Sequence, residues 1–325
     1  MSLLSSLSAP LVGASFILLA VSPVHAASCC GGGGGSALLL PKVANEMVGL
    51  SFDIEHYDGL WHQDGTWVED PEGSDLNQYR LNFGYARRFA PNWQGSANVP
   101  YVWNRNEYAG LSRNTDGLGD TTLSLWYETF DAITCVYDVQ SWQDLIPAAY
   151  FGAGLTLPTG VSPYDDVEDN FDITGRGFYR LDFSALVEKT VYPWNYGLQL
   201  TWGTHLARPV NQEYGRDVEP YTKRLGDRFN GSVSLGYTWF TDNLDMWTAT
   251  LAYADLQEGK ATVAGETDPT TGLRKRSVAA TVAWSTGDRA LVVKGTFSHS
   301  PREDDWGENF PSTDVFTFGV NRVLR

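Results

Sequence analysis

The stretch Phe229–Phe240 reads FNGSVSLGYTWF, and its two parities differ sharply. Phe229, Gly231, Val233, Leu235, Tyr237 and Trp239 form one set; Asn230, Ser232, Ser234, Gly236 and Thr238 form the other. Successive side chains of a strand point to opposite faces, so one face is apolar and aromatic and the other small and polar. After Thr241 and Asp242 the same pattern restarts in Asn243–Leu256. Strands of this length exceed the roughly 5–6 residues usual in a soluble sandwich. They suit a wall with lipid outside and water inside, which predicts an all-β chain folded as a transmembrane antiparallel up-and-down β-barrel.

About twelve candidate strands can be traced by this alternation between Ala44 and Leu324. The fourth is expected at Leu118–Phe130 and the sixth at Ile173–Thr190. Long connections are expected at Asp58–Asp75, Asn104–Gly117, Pro158–Asp172, Ala207–Lys223, Gln257–Thr271 and Pro301–Ser312. Short links occur at Ala90-Pro91, Tyr192-Pro193, Thr241-Asp242 and Thr286-Gly287-Asp288. Long outer loops alternating with short inner turns are the barrel pattern, and an even strand number puts both termini on the periplasmic side. Asp131–Ile146 breaks the pattern as a longer link on the short side.

Residues 1–26 read as a signal peptide, with an apolar stretch Leu11–Val24 and a small-residue cleavage site after Ala26. Residues 27–43 form a Cys/Gly-rich flexible segment, and 44–325 the barrel. Cys29 and Cys30 precede five glycines. They read as part of a plain linker, as a lipidation site, or as a soft-metal or thiol-exchange pair. Export implies the bacterial outer membrane, with lipid, lipopolysaccharide and the barrel-assembly machinery as partners. A periplasmic partner at the N-terminal tail is a further expectation. The aromatic content of 13% suits interfacial girdles, and the net charge of −16 argues against nucleic acid. No haem-attachment motif occurs, and no cofactor is expected.

Inward parity selects Asp53, Glu55, Arg80, Arg88, Glu128, Arg180, Asp182, Glu188 and Lys294 as lumen residues. Asp165, Asp166, Glu168 and Asp169 form an acidic group in one long loop, which predicts a mouth that concentrates cations. The five histidines offer weak material for a hydrolase: His299 and Ser300 are adjacent and so point to opposite faces.

Two segments, Gly117-Leu118-Gly119-Asp120-Thr121-Thr122-Leu123 and Gly154-Leu155-Thr156-Leu157-Pro158-Thr159-Gly160, carry a resemblance. The chain resembles the broad family of outer-membrane barrels named for a MetA pathway of phenol degradation, over roughly residues 44–325. The resemblance implies a barrel of the twelve-stranded type that passes small compounds, aromatic ones among them. The terminal Val323-Leu324-Arg325 departs from the aromatic ending usual in such barrels. The expected function is therefore an outer-membrane channel or transporter for small solutes, aromatic or cationic. The alternatives are a scaffold barrel whose Cys-rich tail engages a metal-handling or redox partner, and a surface hydrolase.

Overall fold

The computed structural model describes residues 38–42, 44–129 and 135–324. Cys29, Cys30 and the signal sequence lie outside them. Twelve strands form one closed antiparallel barrel. They are β1 Glu46–Trp61, β2 Asp75–Ala90, β3 Trp93–Tyr108, β4 Thr121–Glu128, β5 Ala148–Leu157 and β6 Arg180–Val191. The second half is β7 Trp194–His205, β8 Arg228–Phe240, β9 Met246–Glu258, β10 Leu273–Ser285, β11 Leu291–His299 and β12 Phe310–Leu324. Each strand pairs with its sequence neighbour, and β12 returns to β1 from Glu46↔Leu324 to Trp61↔Phe310. Closure leaves no free edge, which a membrane requires because lipid offers backbone groups no hydrogen-bonding partner.

The parity read from the sequence holds around the wall. Leu50, Phe83, Leu123, Phe183, Leu200, Leu235, Val282 and Phe316 are exposed on the outer face. At the short-turn end the outer aromatics pair up: Trp93 with Tyr127 and Trp194 with Tyr237, each with ring centroids 5.1 Å apart. Trp239 stacks on Trp247 at 6.3 Å. At the opposite end Tyr101 packs on Trp103, and Phe183 on Trp202. These two bands sit where an amphipathic ring meets both headgroup and acyl chain.

Four departures from expectation stand out among the connections. Segment 104–117 was expected to be a loop; instead β3 continues to Tyr108, and Leu111–Leu118 pairs back against it. Segment 207–223 is likewise a hairpin, Arg208–Glu213 against Arg216–Arg224. Both turn on two residues of positive φ, Ala109-Gly110 and Tyr214-Gly215. Such a turn matches the twist of the flanking strands, so polar sequence outside the membrane still forms ladders. Third, Ile173–Tyr179 does not begin the sixth strand, which starts at Arg180, and the fourth strand starts at Thr121 rather than Leu118. Last, the β8–β9 turn runs to Asp245, closed by Thr241 N–H donating to the Asp245 carbonyl at 2.9 Å.

Candidate functional site: the lumen and its two closures

At the short-turn end the chain enters its own barrel. Leu38, Leu39 and Leu40 are 7%, 8% and 1% exposed. Leu38 and Leu40 pack with Ala44, Met47, Ala86 and Val323, while Leu39 packs with Trp126, Ala148, Tyr150 and Leu186. Of these, Met47, Ala86, Trp126, Ala148, Tyr150, Leu186 and Val323 lie on the inward parity of the wall. Leu40 N–H donates to Gln94 Oε1 at 2.6 Å. The Arg88 guanidinium donates to the carbonyls of Pro41 and Ala44, each at 3.2 Å, and pairs with the fully buried Glu128 at 2.9 Å. The Lys42 ammonium donates to the Thr129 carbonyl. Leu38–Lys42, the described end of the segment expected to be flexible, is thus an apolar plug held by polar clamps.

The opposite end is crossed by residues 158–179. Asn104 of β3 donates to the Ile173 carbonyl at 2.8 Å. Arg176 makes a bidentate pair with Glu258 of β9, at 2.5 and 2.6 Å. The two sequence motifs latch this strap. Thr159 Oγ1 donates to the Gly119 carbonyl at 2.6 Å, and Asp120 accepts the amides of Gly160 at 3.2 Å and Arg176 at 2.8 Å. Burial pushes the Asp120 carboxyl above its usual range. Outside the membrane the strap shares a small core with the 208–224 hairpin: Tyr164, Phe178 and Val210. The Arg208 guanidinium lies 4.5 Å from the Tyr164 ring centroid. Burial raises the Tyr164 phenol well above its ordinary value, and pushes that of Tyr214 up to about 12.

Between plug and strap lies a cavity of about 160 Å³. Arg80, Arg176, Arg180, Arg228, Asp120 and Asp182 give its charged lining, and Asn82, Gln199 and Asn230 are among its polar groups. Of the nine lumen residues expected from parity, all face inward, but only Arg80, Arg180 and Asp182 line this space. Arg80 is bound to Asp53 at 3.3 Å and Glu55 at 3.2 Å, with Lys275 3.9 Å from Glu55. Lys294 lies within electrostatic reach of Asp53. Removing one member of such a buried set leaves an uncompensated charge. Arg88 and Glu128 instead serve the plug, and Glu188 accepts from the Tyr150 hydroxyl beside it. Arg176, Arg228, Asp120 and Glu258 were not foreseen. Arg228 lies on the inward parity one residue before Phe229, so the alternation could have found it; Arg176 sits in irregular chain and gave no such signal.

The acidic residues of the mouth are partly engaged by their own neighbours. Asp165 accepts from Ser162 N–H and Oγ–H, both at 2.7 Å. Arg113 pairs with Glu168, and with Asp169 at 3.3 Å. Asp166 is exposed. On the outer wall His299 Nδ1 lies 2.6 Å from Asp314, while Ser300 points the other way and is buried.

Residues 74–309 match the model of a protein family described as "Putative MetA-pathway of phenol degradation". The chain belongs to this family. In this chain the GLGD and LPTG segments form the strap's latch. Among solved structures, an outer membrane channel from Pseudomonas putida F1 superposes with a TM-score of 0.62 at 13% identity. The match covers 89% of this chain and 97% of that one. The β domain of the Bordetella autotransporter BrkA gives 0.51 at 11% identity, over 86% and 100%. At these identities the likeness shows the fold alone, that of outer-membrane barrels. No curated protein matches the sequence.

Proposed function

We propose that this family member is an outer-membrane channel for small solutes, closed at its short-turn end by Leu38–Leu40. The observation that carries this reading is the polar, charged cavity between plug and strap. A purely structural barrel would gain from filling such a space, since voids forgo packing contacts. The channel role of the Pseudomonas putida structure, which shares the architecture over nearly its whole length, supports it. In this reading the short turns and both barrel termini face the periplasm, and the acidic loops the outside. Arg113 offsets part of the charge of this acidic group, so cation enrichment at the mouth is reduced, and it is screened by salt. Reconstitution in planar bilayers tests the reading. Discrete current steps, enlarged when residues 27–42 are deleted, are the expected result. A silent bilayer with folded barrel of both forms would leave the scaffold reading standing instead.

A further inference from the structure

Four adjacent strands place inward-facing residues at one level of the wall. The pairings Asp182↔Gly203, Gly203↔Arg228 and Arg228↔Glu258 run across β6, β7, β8 and β9. The Asp182 carboxylate lies over Gly203, where a Cβ would collide with it. Arg228 stands between two carboxylate positions, but both are taken. Asp182 accepts two contacts from Arg180 Nε, at 2.8 and 3.1 Å. Glu258 is held at both oxygens by Arg176. Asp120 is occupied by backbone amides, and Arg80 has Asp53 and Glu55. Among the described residues the Arg228 guanidinium has no hydrogen-bond or ion-pair partner. The terminal nitrogens of Arg180 likewise have none.

Free guanidinium donors thus line the cavity at this level. Pro100, Val102 and Trp126 supply an apolar part of the same lining. A planar fork of N–H donors matches a carboxylate in bidentate fashion, and the apolar part suits an organic body behind it. We infer that the Arg228 side of the cavity is a binding subsite for the carboxylate of a small organic acid. That the acid is in transit rests on the channel reading; that it binds does not.

Isothermal titration of the intact, detergent-solubilised barrel with benzoate, and with benzyl alcohol as its uncharged counterpart, tests the subsite. Wild type should bind benzoate at least about tenfold more tightly than the alcohol, because hydrogen bonds to a charged group outweigh neutral ones. Arg228→Gln should weaken benzoate about tenfold or more and leave the alcohol unchanged, and Arg228→Lys should fall between. Inorganic phosphate, at least as highly charged but without an apolar body, should compete poorly. Equal binding of benzoate and alcohol by wild type overturns the inference without recourse to any variant. So does undiminished benzoate binding by folded Arg228→Gln, or phosphate binding as tight as benzoate. Silence in bilayers with benzoate binding intact would defeat the channel reading alone.

Discussion

Replacing Leu39 and Leu40 by alanine should open the short-turn end. Docking Leu38–Lys42 fixes five residues, at a backbone cost of about 1–2 kcal/mol each, or about 5–10 kcal/mol together. Burying three leucines returns about 1.5–3 kcal/mol each, and the clamps from Gln94 and Arg88 add about 1 kcal/mol apiece. The gain is about 6.5–11 kcal/mol, so the docked state leads by only about 1 kcal/mol. Each Leu→Ala removes the equivalent of about three buried carbons, or about 2.4 kcal/mol. That is roughly a fiftyfold shift per site, at 1.4 kcal/mol per decade. Leu39 and Leu40 contact different wall residues, so their effects should nearly add. The single variants should therefore raise the fraction of time at high conductance, and the double variant should remain open. Single-channel recording reads this directly. A double variant with wild-type conductance and dwell times, in a barrel that still resists unfolding, would refute the idea that these leucines form the gate.

Leu235 is 44% exposed on the outer wall, and Leu235→Arg should destabilise the barrel by about 2–4 kcal/mol, with Ser234→Arg milder because it faces the lumen; equal shifts in urea unfolding from lipid vesicles would contradict the parity. In intact cells Asp304→Cys should react with an impermeant thiol reagent and Asp242→Cys should not, and the reverse labelling would invert the proposed orientation. Tyr164 has its phenol raised by burial, so the neutral form is the one the strap core stabilises. That stability is present below the ordinary tyrosine value of about 10 and is lost as pH rises beyond it. Hydrogen exchange in segment 158–179 should accelerate above that pH in wild type and less in Tyr164→Phe; an equal acceleration in both would assign the effect elsewhere.

Alternation was enough to set the barrel, its strand number and the inward or outward facing of residues such as Arg80, Glu128 and Leu235. The reason is local: a strand has a strict period of two, and lipid on one side with water on the other writes that period into side-chain polarity. The same logic failed where the period has no lipid to report. Segments 104–117 and 207–223 are polar on both faces, so their ladders looked like loops. Inward facing also does not say which charges find each other. Asp182 and Arg180 are two residues apart, but Glu258 meets Arg176 across 82 positions, through a strap whose path depends on Asn104 and Asp120. Among the described residues Arg228 is left without a partner, because Arg176 of the strap has taken Glu258 and Arg180 of the adjoining wall has taken Asp182. Leu38–Leu40 likewise reads as the end of a linker until a ring of twelve strands gives it an interior to enter. Facing is a property of one strand; partnership and enclosure are properties of the closed wall, and only the tertiary structure decides them.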